Sequence, residues 1–252
     1  MLRKKRILQI LISGVLLIVM IISGCQIWKI QSYYRAENEL HENLLNYEPQ
    51  AIINENTPNI DATITDVKNK EIVALKEKNS DVLGWAKIDD TDISYPFVHG
   101  MDNDFYLRRD LHKEYAYAGT IFVDYRCRGD FSDFNTILYG HNMKNGSMFH
   151  NLSLFSDKDY FNTHQTGTIY LEDVNLKLEI FAYLLVDSVD LVNFQKEEDP
   201  TNLQADYIEF IHINAQQFRD VDISEETRLV TFSTCSYEFD EARAIVVAKV
   251  CD

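Results

Sequence analysis

From Ile7 to Trp28 the chain runs through 22 residues without a charge. At about 1.5 Å per residue, a helix of that length crosses a hydrocarbon layer of about 30 Å. Arg3-Lys4-Lys5-Arg6 stands directly before it, and the positive-inside rule then holds residues 1–6 in the cytoplasm. The pattern predicts a single-pass anchor over 7–28, with everything beyond it outside the cell. Ile22-Ser23-Gly24-Cys25 also has the form of a lipoprotein processing box, in which Cys25 would be lipidated. The apolar run continues through Ile27 and Trp28 and favours the uncleaved anchor. Both readings leave the remaining chain tethered at the outer face of a membrane.

Residues 29–65 are polar and charged, with weak helical periodicity, and Pro49 and Pro58 interrupt any long helix there. This segment reads as an extracellular stalk, and residues 66–252 as the folded domain. Val67, Ile72, Val73 and Leu75 recur near helical spacing, which predicts a helix over Asp66–Asn79 with Asp66 as its cap. After it the period changes to that of strands. Short β-branched and apolar runs fall at Val82–Lys87, Ile93–Val98, Thr120–Asp124, Asn135–Tyr139, Thr168–Leu171, Leu176–Val186, Arg228–Ser233 and Arg243–Val250. Eight such strands with turn signals between most of them predict a mainly β domain, closed or sandwiched. Roughly forty residues separate the sixth and seventh strands, too many for a structureless loop. Tyr207, Ile208, Phe210 and Ile211 predict a helix there, near Leu203–Asn214.

Charge narrows the function. The formal net charge is -16, and residues 1–30 hold five basic and no acidic side chains. The rest carries 19 basic against 40 acidic residues, which excludes nucleic acid as a partner. Four cysteines are too few for a disulfide framework. A Cys127–Cys251 bridge stays open on spacing, but Cys235 reads as a thiol with a task.

Three residues can supply that task. Cys235 ends the run Arg228-Leu-Val-Thr-Phe-Ser-Thr-Cys235, at the rigid end of a strand. His141 follows the strand ending at Tyr139, after Gly140, whose backbone freedom suits a turn. Arg243 opens the last strand, eight residues after Cys235, so antiparallel neighbours would bring the two together. Each alone is more often structural. Together they make a mechanism: a thiol activated by an imidazole attacks an amide, and a guanidinium holds the oxyanion. Asn142 is a candidate to orient the imidazole.

The motifs Tyr139-Gly-His-Asn-Met-Lys-Asn-Gly-Ser-Met-Phe149, Thr231-Phe-Ser-Thr-Cys235 and Arg243 resemble the signature blocks of class B sortases. Asp81-Val-Leu-Gly-Trp-Ala-Lys-Ile88, Ile93-Ser-Tyr-Pro-Phe-Val98, Asp102-Asn-Asp-Phe-Tyr106 and Ala118-Gly-Thr-Ile-Phe-Val-Asp-Tyr125 match in the same order. Phe232 stands where Leu or Ile is commoner, and the Cys–Arg spacing is short for the family. The resemblance implies an eight-stranded closed β-barrel with an N-terminal helix and a helix inserted between the sixth and seventh strands. It implies a transpeptidase that cleaves a C-terminal sorting signal through a thioacyl-enzyme. The acceptor would be an amine of the peptidoglycan precursor or, in pilus assembly, a pilin Lys. By position Cys235 would be the nucleophile, His141 the acid/base and Arg243 the oxyanion contact, with Ser233, Thr234, Asn142 and Tyr139 lining the substrate groove. No cofactor and no metal is implied. Two other readings are an L,D-transpeptidase, which keeps Cys and Arg closer in sequence, and a non-catalytic surface-binding module on the same fold.

Overall fold

The computed structural model describes residues 2–50, 68–187, 200–235 and 242–251. The chain divides into two units, residues 1–42 and 43–252. The first is a single helix, part of α1 (Leu2–Leu45). Its apolar side chains from Leu11 to Ile30 are exposed, Trp28 at 74%. This exposed apolar stretch is compatible with a membrane anchor. Helical structure continues without a break through the expected stalk to Leu45 and stops before Pro49. Asp66 and Pro58 lie outside the described residues.

The second unit opens with α2 (Lys70–Lys78), which buries Ile72 and Leu75. Asn69 stands at its start, and its side chain reaches away from the helix to the Leu171 carbonyl and, at 2.8 Å, to Asn175 Oδ1. The helix is thus stitched to a hairpin a hundred residues away. Among the described residues nine strands follow: β1 (Val82–Ile88), β2 (Ser94–His99), β3 (Ile121–Val123), β4 (Asn135–Tyr139), β5 (Thr166–Leu171), β6 (Asn175–Asp187), β7 (Ala215–Phe218), β8 (Leu229–Cys235) and β9 (Ala242–Cys251). A short helix α3 (Lys158–Thr163) precedes β5, and α4 (Pro200–Asn214) lies between β6 and β7.

The strand order is β5-β1-β2-β3-β4-β8-β9-β6, and β5 also pairs with β6, so eight strands close a barrel. Closure removes the open edges that eight separate strands would present. The ninth strand, β7, was not legible as Ala-Gln-Gln-Phe. It pairs with β6 at Ala182–Leu184, beyond the stretch that pairs with β5. Burial along β6 explains its length. Leu176, Leu178 and Ile180 alternate with more exposed neighbours, as a strand with one wet face does. From Ile180 to Leu184 every residue is buried, and α4 is part of the cover over this stretch, with Tyr207 and Ile211 packed among Phe181, Ala182 and Leu184. A second cluster joins α2 to the other side of the barrel through Ile72, Trp85, Val98, Tyr106 and Phe122. Cys127 and Cys251 carry no disulfide between them.

One polar chain crosses the first cluster. Thr231 Oγ1 donates to Asn135 Oδ1 at 2.7 Å, which spends its only proton. Tyr207 must therefore donate its phenol to Thr231, at 2.8 Å. This chain ties α4 to β8 and β4. Tyr207→Phe is expected to lower unfolding free energy by about 1–2 kcal/mol, the cost of a buried acceptor losing its donor, measured by urea denaturation.

Candidate active site

β8 runs parallel to β4, and their last registered pair is Tyr139 with Ser233. The Gly140 N–H then donates to the Ser233 carbonyl at 3.1 Å, which carries β4 one residue further along β8. On its other side β8 runs antiparallel to β9, and the last pair is Cys235 with Arg243. Directly opposite residues in such a pair have Cα atoms about 5 Å apart. The backbones leading to His141, Cys235 and Arg243 therefore meet at one end of the barrel, although about a hundred residues separate the first from the others.

His141 is half-buried. Its Nε2 lies 2.8 Å from the carbonyl of Leu107. A carbonyl only accepts, so Nε2 carries the proton and Nδ1 is left for proton exchange in the neutral ring. Burial pulls the imidazole below its ordinary value near 6.5, the Leu107 contact opposes this, and the charge of Arg108 adds to the fall. Asn142 does not supply the group on Nε2. Its Oδ1 accepts from His150 Nδ1 at 2.7 Å and helps close the 141–149 loop. Met148 donates its N–H to the Tyr95 hydroxyl at 2.9 Å, and Phe149 donates to the His141 carbonyl at 3.0 Å. The Asn145-Gly146 turn is present, with Gly146 at φ +88°. Gly140 is not in the left-handed region. It is small because there is no room, as an added Cβ would press on the end of Ile121 and lie 2.7 Å from the Phe149 ring.

Ser233 and Thr234 are buried, and neither hydroxyl has a hydrogen-bond partner among the described residues. A buried hydroxyl left so is costly, and an incoming polar chain can relieve it. Tyr139 is committed elsewhere: its phenol donates to Asp124 Oδ2 at 3.2 Å, and burial together with that carboxylate raises its pKa. Arg243 is half-buried, with its guanidinium 3.3 Å from the Ala242 carbonyl.

Asp124 was missed in the sequence, where it stands as one Asp among many. It is wholly buried at the end of β3 and accepts from Arg126 through both oxygens, at 2.8 and 2.7 Å, and from Asn103 at 2.9 Å. Burial alone would raise its pKa, but these donors hold the carboxyl below its usual range. Through Tyr139 it fixes the strand that presents His141. Leu107 was missed for a different reason, since a backbone carbonyl leaves no mark in a sequence. Among the described residues no His, Cys, Asp and Glu cluster has the makings of a metal site.

A cysteine, a histidine and an arginine thus stand at or beside strand ends that the pairing brings to one rim, the residue types that cysteine acyl transfer uses. Residues 86–251 match the family model of the sortase domain, and the chain belongs to the sortase family. It is 36% identical over 195 residues to sortase B of Listeria monocytogenes, across 75% of this chain and 79% of that one. The crystal structure of sortase B from Bacillus anthracis superposes with a TM-score of 0.71 at 28% identity, covering 88% of this chain and 99% of that one. A Streptococcus pyogenes class B sortase involved in pilus biogenesis gives 0.64 at 30% identity, covering 71% and 97%. The chain is accordingly a class B sortase, a cysteine transpeptidase of the family that acts on sorting-signal surface proteins and amine nucleophiles.

Three outcomes follow from this geometry. Gly140→Ala is expected to cost about 1–3 kcal/mol of stability through overpacking and to lower kcat by roughly 10²-fold through displacement of the His141 turn, read by peptide cleavage beside thermal melting. Asp124→Ala leaves donors on three residues, Arg126, Asn103 and Tyr139, without their acceptor and should cost roughly 3 kcal/mol, since Arg126 remains partly in water. The carboxylate's contribution is present above the ordinary Asp range and is lost as pH falls through its depressed native value, so the deficit should shrink in acid denaturation series. The His141 ring protons, followed by NMR, should titrate below the free imidazole midpoint and move upward in Arg108→Gln.

Proposed function

We propose that Cys235 is the nucleophile, His141 the general acid/base and Arg243 the oxyanion contact of this transpeptidase. The reading is carried by one observation: the registers Tyr139–Ser233 and Cys235–Arg243 bring the three backbones to one barrel end. The thiol loses its proton to His141 Nδ1 and attacks the carbonyl carbon of the scissile peptide bond. Negative charge moves to the carbonyl oxygen, where the Arg243 guanidinium offers charge-assisted donors. Collapse breaks the C–N bond, and the departing amine takes the proton held on Nδ1. The surface protein is left as a thioester on Cys235. An acceptor amine then attacks this carbonyl, gives its proton to His141 and releases the thiol. The Ser233 and Thr234 hydroxyls, buried and without a hydrogen-bond partner among the described residues, suit a polar backbone bound in the groove, and Asn142 and Tyr139 line the adjoining turn.

The acceptor we propose is the amine of the peptidoglycan precursor, so the reaction anchors surface proteins to the cell wall. The basic residues 3–6 and the apolar helix that follows them support a single-pass topology with residues 1–6 in the cytoplasm and the catalytic domain outside. The S. pyogenes class B sortase involved in pilus biogenesis supports a second reading, in which the amine is a Lys of another subunit.

The domain incubated with a sorting peptide and no amine is expected to gain the mass of the acyl fragment, removable by hydroxylamine. Cys235→Ala should show neither adduct nor cleavage, and cleavage by that variant would overturn the assignment. Arg243→Lys should lower kcat by about 10²-fold with little change in KM, since it loses the planar fork for the developing oxyanion. Peptidoglycan amines and a pilin Lys peptide, offered together and read by product mass, separate the two acceptors.

A further inference from the structure

Several cations of this acidic chain are spent on its own carboxylates. Lys76 and Lys68 meet Glu172, Lys87 meets Glu48, Lys113 meets Asp81, Arg126 meets Asp124 and Arg128 meets Asp133. Arg108 and Arg109 differ. Among the described residues neither guanidinium meets a carboxylate. Arg108 donates from one NH1 to the Tyr117 carbonyl at 2.7 Å, and its guanidinium carbon lies 4.8 Å from the centre of the Tyr117 ring. Arg109 is held in the same manner, by the Lys113 carbonyl at 3.0 Å and by the Phe105 ring at 4.7 Å. Both arginines are exposed, as are Tyr115 and Tyr117. A guanidinium has five N–H donors in a planar fork, so most of those on Arg108 remain to be used. Its position is already fixed by the bond and the ring, which removes part of the ordering cost of binding.

The place matters as much as the charge. Arg108 follows Leu107, whose carbonyl holds His141 Nε2, and its field reaches the His141 ring. On that assignment the acyl group of the thioester is carried by Cys235, at the end of β8. The incoming amine must give its proton to His141, so it approaches from the β4 side, where Arg108 stands. We propose that Arg108, backed by Tyr117, binds an anionic group on the acceptor, a carboxylate or a phosphate carried near the reacting amine. This rests on the assignment of His141 as the acid/base. An acidic protein repels anions at a distance, and a local guanidinium fork beside the acid/base is the feature that admits one.

The test is transfer from the thioacyl-enzyme to three amines: triglycine, its neutral amide, and aminoethyl phosphate. The wild type should show a KM about 5-fold lower for triglycine than for the amide, with the advantage shrinking in 0.5 M salt. Arg108→Gln should abolish that difference by raising KM for the charged amines, Arg108→Lys should keep part of it, and Arg128→Gln, remote and exposed, should leave it intact. A phosphate preference over the carboxylate would name the carrier portion of the acceptor as the ligand, and the reverse its peptide portion. The proposal is overturned if the wild type uses neutral and anionic amines equally, or if Arg108→Gln weakens transfer to all three by one factor. Sorting-peptide cleavage that survives in His141→Ala would instead overturn the assignment on which it rests.

Discussion

The structure depends on the pairing of β8 with two different partners. Its residues from Leu229 to Thr234 are all buried, so the strand can satisfy its backbone only through β4 on one side and β9 on the other. The first pairing is parallel and the second antiparallel. That combination turns the end of β4, the end of β8 and the start of β9 toward the same rim. A slip of one residue in either register would carry every side chain of β8 to the opposite face, and burial on both faces makes such a slip costly. The site inherits its precision from that cost.

Around this strand the fold spends polar groups to hold backbone in place. The Tyr207–Thr231–Asn135 chain fixes the inserted helix to the barrel wall. The Asp124–Arg126 pair fixes Tyr139, two residues before His141. The Leu107 carbonyl and the closed 141–149 loop fix the imidazole and its tautomer. Apart from Thr231 on β8 itself, these supports come from parts of the chain remote from Cys235. The rim at which β8 ends therefore rests on rigid elements from the whole domain.

The 105–117 loop gives the same rim a second character. Several cations on this domain answer a neighbouring carboxylate, but here two arginines rest on aromatic rings and carbonyls. A charge arranged in that way adds little to folding and stays available to a ligand. Arg108 also lowers the proton affinity of the nearby imidazole.

Strand positions and the inserted helix were legible in the sequence, because alternation along Leu176–Ile180 and the Tyr207–Ile211 spacing are local records of which face is buried. Cys235, His141 and Arg243 could be named as candidates for the same reason, each at a strand boundary with a chemistry of its own. The sequence could not show β7, whose four residues have too little apolar contrast. It gave a wrong reason for Gly140, which is small for want of space and not for a turn. It also could not mark Asp124 among so many acids, nor a main-chain carbonyl at Leu107. Those roles are set by contacts between segments far apart in the chain, and only closure of the barrel decides which of them touch.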